Sequence, residues 1–255
     1  MAAALPFVRT PLIPAAIAIG TMTPDLFYYV PIDIPRDFSH SWLGVLTVDL
    51  VFGVGLFLLW QLFLRAPTID FSPRLVRSRI KRADWMPVGR LRHLRLGILL
   101  PASLLLVSAT HVIWDLFTHA GPFADGIPLL AATYGPFAGS KWLQHASSLL
   151  GAAALLGFAG WWLRTTPTDA TETTRLAPRT RAAGWAIVIV TGLAVSLGVF
   201  VPRMAAGESL YYSSAIFQAV TYGLASAGLA VLVISAAWWI YRLRITATTL
   251  PSTSA

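Results

Sequence analysis

Residues 96–118 read LGILLPASLLLVSATHVIWDLFT, a run of 23 residues whose only formal charge is Asp115. A membrane-spanning helix needs ~20 mostly apolar residues, and this stretch supplies them. Its last turns break the apolar rule with Thr110, His111 and Asp115, and His119 follows just beyond. Working outward, four more windows have the same character: Leu43–Leu64, Ala146–Leu163, Ala183–Val201 and Ile216–Tyr241. Trp42, Trp142, Trp162, Trp185 and Trp239 lie at or near window ends, where interfacial aromatics anchor helices. The pattern predicts an all-α, polytopic membrane helix bundle with about five transmembrane helices. A sixth apolar stretch, Leu12–Gly20, is too short to span and follows Pro6 and Pro11. It reads as a short N-terminal interfacial or re-entrant helix. A signal peptide is the competing reading, with Ala18-Ile19-Gly20 as its cleavage site, but Pro14 interrupts the apolar run.

Composition agrees. Of 255 residues, 56% are hydrophobic and 12% charged, about half the charge of an ordinary soluble domain. That excludes disorder, which needs low hydrophobicity. With no cysteine, disulfides, Cys-ligated zinc, iron–sulfur clusters and thiol nucleophiles are excluded. Any metal site must use His, Asp and Glu. The apolar windows predict a single integral-membrane domain over 1–245, followed by a loose Thr-rich tail at 246–255. Ala219, Gly223 and Ala227 on the last helix, and Ala153 and Gly157 on the third, form small-residue faces that suit close helix packing.

Charge sets an expected orientation. Lys and Arg total 19 against 11 acids, for a net charge of +8. Fifteen of the basic residues fall in the 65–95 loop, the 164–181 loop and the C-terminal end, and four lie on the other side. The positive-inside rule places those basic loops and the C-terminus in the cytoplasm of a bacterial inner membrane. The N-terminal segment, the 119–145 loop and the 202–215 loop then face outward. The basic loops lack interleaved aromatics or a recognisable module, so no nucleic-acid partner is expected. The expected partner is the lipid bilayer, whose anionic headgroups attract such loops.

Ionisable groups inside a span cost ~2.5–3.5 kcal/mol and carry information. His111, Asp115 and His119 are spaced i, i+4, i+8, which puts them on one helical face. Asp25, His40 and His145 reach the same predicted membrane face, so four of the five histidines gather there. Together Asp25, His40, His111, Asp115, His119 and His145 form a candidate metal-ligand set. Each also has a plain structural reading. His40 and His145 suit interfacial caps, Asp25 a turn, His111 and Asp115 a hydrogen-bonded pair, and His119 a free loop position. Asp49, nine residues beyond His40, is read as a buried polar contact. His93 belongs to the basic loop and is unrelated.

Imidazole and carboxylate together suit one or two divalent cations, zinc first. Such a centre makes hydroxide available near neutral pH for attack on a phosphoester, amide or ester. An Asp not bound to metal could serve as general base. The position at the membrane face favours a lipid-like or amphiphilic substrate. No G-x-S-x-G elbow, P-loop or G-x-G-x-x-G occurs. A transporter or proton conduit using the same cluster, and a non-catalytic membrane scaffold, are the alternatives.

The segments Gly20–Tyr29 (GTMTPDLFYY), Ser39–Gly44 (SHSWLG), His111–His119 and Trp142–Ser148 (WLQHASS) resemble a bacterial membrane family known as domain-of-unknown-function family 4184. The likeness covers nearly the whole chain. More remotely, the Pro-Asp, His-Ser and His-x-x-x-Asp pattern resembles inner-membrane proteins described as metal-dependent hydrolases. That likeness implies that Asp25, His40, His111 and Asp115 are metal ligands. His119 and His145 match only within the closer family, where no role is established. Relatives carry a Ser-His or Thr-His step nearer the N-terminus, whereas no histidine precedes His40 here. Either that ligand has been lost or an in-frame start lies upstream.

Overall fold

The structure, a computed structural model, describes residues 2–7, 10–80, 94–169, 174, 176–208 and 214–248. Among the described residues the regular structure is helical apart from one two-stranded hairpin, Thr133–Tyr134 with Phe137–Ala138. A short helix α1 (Pro14–Gly20) is followed by α2 (Trp42–Phe71), α3 (Leu94–Thr118), α4 (Gly139–Thr165), α5 (Pro178–Ala205) and α6 (Ser214–Thr248). The last five are long and apolar enough to cross a membrane, matching the five windows in order. The third begins at Gly139 rather than Ala146, because its first turns are polar and carry little hydropathy signal. The centre of the first basic loop, 81–93 with His93, and the end of the tail, 249–255, lie outside the described residues.

Two compact units are present: 1–58 with 86–167, and 59–85 with 168–255. In the first, α1 lies against α3. Ala16, Phe57, Leu100 and Leu104 form a buried core with Ile13, Ala15, Ile19, Leu50 and Val54 packed on it. Gly20 permits the close approach, since a side chain there would stand 2.5 Å from Val107 Cγ2 and 2.9 Å from the Leu104 carbonyl. Polar stitches hold the seam. Ser103 Oγ accepts from the Ile13 N–H at 3.0 Å, and Ser108 Oγ donates to the Gly20 carbonyl at 2.9 Å. In a bilayer such bonds satisfy backbone groups that a seven-residue helix leaves unmet.

The second unit shows how α2 tolerates Pro67. Proline leaves the carbonyl four residues back without its helical partner. That carbonyl belongs to Phe63, and it accepts from Trp239 Nε1 on α6 at 2.9 Å. A π-turn at Trp60–Leu64 absorbs the local mismatch. On α6 the Ala219–Gly223–Ala227 face meets α5, where a side chain at residue 223 would collide with Ser196 Oγ and approach the Gly192 carbonyl to 2.9 Å. The corresponding expectation for α4 is not met. A side chain at Gly157 would find no described atom within 4 Å. At its N-terminal end α4 meets the hairpin, where Trp142 Nε1 donates to the Tyr134 carbonyl at 2.8 Å.

Candidate metal centre

All the residues of the site belong to the first unit, and local chemistry aims each one. After α1 the chain turns through Thr23, fully buried, whose Oγ1 lies 2.9 Å from both the Gly20 carbonyl and Ser108 Oγ. That anchors the next residues to α3, so Asp25 arrives beside His111, three residues beyond Ser108. His40 sits between the helical turn Arg36–Ser39 and the start of α2. Ser41 caps α2 by accepting from the Gly44 N–H at 3.0 Å. Gly44 is required there, because a side chain would overlap the Phe38 carbonyl at 2.0 Å. The resulting fold-back turns the His40 ring inward, leaving its side chain 7% exposed. His111 and Asp115 come from the last turns of α3.

The four groups converge. One potential ligand atom from each of Asp25, His40, His111 and Asp115 lies within 4.8 Å of all the others. His40 Nε2 is 3.3 Å from Asp25 Oδ1 and 3.3 Å from Asp115 Oδ2. His111 Nε2 is 3.4 Å from Asp25 Oδ2 and 3.8 Å from Asp115 Oδ1. Both Nε2 atoms are buried, yet neither makes a hydrogen bond. Each nitrogen therefore faces two carboxylates without being aligned to either, as expected of donors directed at a shared point. The His40 ring is held from behind: Nδ1 lies 3.2 Å from the Arg36 carbonyl, which can only accept, and 3.0 Å from Ser39 Oγ. A proton on Nδ1 leaves the Nε2 lone pair for a cation, the usual tautomer of a metal-bound histidine.

Burial opposes a charge on His40, but Asp115 and Asp25 outweigh it and raise its pKa to about 9. The two carboxylates thus favour the protonated form of His40. His119 behaves differently. Burial lowers its pKa; Asp115 opposes this, while Arg36 and Lys141 add to the lowering. Its ring bridges two neighbours: Gln144 Nε2 lies 3.0 Å from Nε2, and Nδ1 faces Asp115 Oδ2 at 3.4 Å. A neutral His119 takes the amide hydrogen on one side and gives its own to Thr118 Oγ1 at 3.2 Å, whose hydroxyl in turn donates to the Trp114 carbonyl.

Of the six residues singled out in the sequence, the structure brings Asp25, His40, His111 and Asp115 together. It sets His119 behind Asp115 and His145 edge-on against Phe137, with ring centroids 5.1 Å apart. Asp49 ends a π-turn, Val45–Asp49, fully buried with no hydrogen bond to either carboxylate oxygen. Arg36 was counted in the sequence only as an outward charge. Its Nη2 donates to Asp115 Oδ2 at 2.8 Å. The available signal was its place four residues before His40, on the same face of a helical turn.

A family model described as "Domain of unknown function (DUF4184)" matches residues 1–237. The chain belongs to this DUF4184 family. No curated protein and no solved structure matches the chain. The four converging residues all lie within the part of the chain that the family model covers.

Proposed function

We propose that this DUF4184 protein is a membrane-embedded, metal-dependent hydrolase whose centre is Asp25, His40, His111 and Asp115, set at the outer face of a bacterial inner membrane. The observation that carries this reading is the pair of buried imidazole Nε2 atoms, unbonded and directed at two carboxylates within 4.8 Å. The donor set fits a divalent ion, zinc first. When bound, such an ion supplies a Lewis acid and lowers the pKa of water to ~7. The chain's own residues do the positioning. The Arg36 carbonyl fixes the tautomer of His40, and Arg36 and His119 steady Asp115. Asp25, 37% exposed, forms the side open to solvent and substrate. His111 and Asp115 lie in the last two turns of α3, and exposed Trp42, Leu43 and Trp114 flank the centre in sequence. That setting favours an amphiphilic substrate approached from the lipid.

Elemental analysis of detergent-purified protein tests the reading. Stoichiometric divalent metal is expected, and His111→Ala or Asp115→Ala should abolish it. Equal metal content in the wild type and both variants would overturn the proposal. Asp49 favours a second reading, a proton or ion conduit, because it is a fully buried acid inside a span. Proteoliposome flux lost in Asp49→Asn, from protein free of metal, would select it.

A further inference from the structure

We propose that the substrate is a phosphoester whose phosphoryl oxygens are taken by Arg36. This rests on the metal reading above and adds the substrate class. The argument starts from charge. Asp25 and Asp115 contribute two negative charges, Arg36 one positive, and the two imidazoles none when they ligate. A dication leaves that group with one net positive charge. Lys141, exposed on the first turn of α4, acts electrostatically on His119 as Arg36 does and adds to the excess. A guanidinium 2.8 Å from a ligand oxygen disfavours a dication unless an anion joins them. A cation in this site is therefore favoured by an anionic group beside it, which hydroxide or an anionic substrate supplies.

Geometry favours a phosphoryl group as that anion. The Arg36 side chain is 37% exposed, so it reaches the open side of the centre. Its guanidinium carries five N–H donors in a planar fork that matches phosphate oxygens bidentately, and Nη2 is the one directed at Asp115. Tyr28 stands close to it, near enough to feel the Arg36 charge. A neutral amide or carboxylic ester presents the Arg36 fork with one uncharged carbonyl oxygen. A free carboxylate presents two charged oxygens but has no bond to hydrolyse. A phosphoester supplies both paired charged oxygens and a bond to hydrolyse. In its hydrolysis the oxygen of water bonds to phosphorus and the P–O ester bond breaks. One proton of the water ends on the departing alcohol oxygen, giving an alcohol and a phosphate with one ester link fewer. Arg36 and Lys141 offset the negative charge on the phosphoryl oxygens.

The test uses full-length protein purified in detergent and loaded with zinc. Calorimetric titrations with inorganic phosphate, dihexanoyl phosphatidate and uncharged dihexanoylglycerol are paired with metal analysis. At least one phosphate-bearing probe should bind the wild type more tightly than dihexanoylglycerol. Arg36→Gln should keep its zinc yet bind phosphate at least tenfold more weakly, with Arg36→Lys recovering only part of the loss. Tight binding of phosphatidate alone assigns a lipid phosphate, and equally tight binding of inorganic phosphate assigns a soluble phosphoester. Unchanged affinity of a zinc-loaded Arg36→Gln for whichever phosphate-bearing probe the wild type binds, or binding of neither phosphate-bearing probe by the zinc-loaded wild type, overturns the inference and leaves the metal reading standing. A wild type that takes up no zinc overturns both.

Discussion

Asp115 Oδ2 accepts from Arg36 Nη2 at 2.8 Å and has His40 Nε2 at 3.3 Å and His119 Nδ1 at 3.4 Å close by. That crowding makes the metal-free site sensitive to pH through His40. Its folded pKa of about 9 stands above the ordinary 6.5. Its stabilising contribution is therefore fully present below pH 6.5 and is lost as pH rises through about 9. Chelator-treated protein should melt at progressively lower temperature across that window, and His40→Gln should flatten the decline. A decline of equal size in both proteins would remove His40 as its cause. Metal must displace the same proton, so apparent metal affinity should climb roughly tenfold per pH unit below 9. His119 acts on the ligand rather than on the ion. His119→Ala should lower metal affinity by about 10- to 100-fold without abolishing it, as read by competition against a chelating dye. The i, i+4 pairing of His111 and Asp115 was legible because helical spacing alone sets it. The division of labour between His119 and the other two histidines was not, because it depends on Gln144 reaching across from α4. Arg36 was missed because a charge near a membrane face has an ordinary topological explanation.

At the scale of elements, the seam between α1 and α3 carries the site. Gly20 is closed to any side chain by Val107 Cγ2 and the Leu104 carbonyl. Ser108 and Thr23 then tie the following turn down, so Asp25 has little freedom to move away from His111. Gly20→Ala should cost about 1–3 kcal/mol, as overpacking does, and should weaken metal retention along with the melting temperature. Gly157→Ala is the control. With no described atom within 4 Å of the added methyl, its effect should stay within about 0.5 kcal/mol. Equal destabilisation by both would mean that the seam does not set the response. The five spans were legible because hydropathy reports contact with lipid directly. The π-turns at Val45–Asp49 and Trp60–Leu64, and the hairpin before α4, were not. They depend on where buried or prolyl positions fall relative to neighbouring helices, which a one-dimensional hydropathy pattern does not contain.

At the scale of the whole molecule, the remaining question is which side of the membrane the centre faces. The proposed orientation rests on charge: fifteen Lys and Arg residues in the two basic loops and the C-terminal end against four elsewhere. If all five candidate helices cross, the segment before α2 and the segment after α6 lie on opposite sides, and in the proposed orientation the segment that brings Asp25 and His40 lies outside. The absence of cysteine allows a clean measurement, because every introduced thiol reports alone. Thr133→Cys, in the exposed hairpin, should react in intact cells with a membrane-impermeant maleimide. Arg179→Cys, exposed at the start of α5, should react only after the cells are opened. The centre and the hairpin share a membrane face because His111 and Asp115 lie in the last turns of α3, directly before the segment that contains the hairpin. The labelled side therefore names the compartment from which the proposed metal and substrate would come. Labelling of Arg179→Cys but not Thr133→Cys in intact cells would reverse the orientation and move the proposed chemistry to the cytoplasmic leaflet, with the geometry of the four residues unaffected.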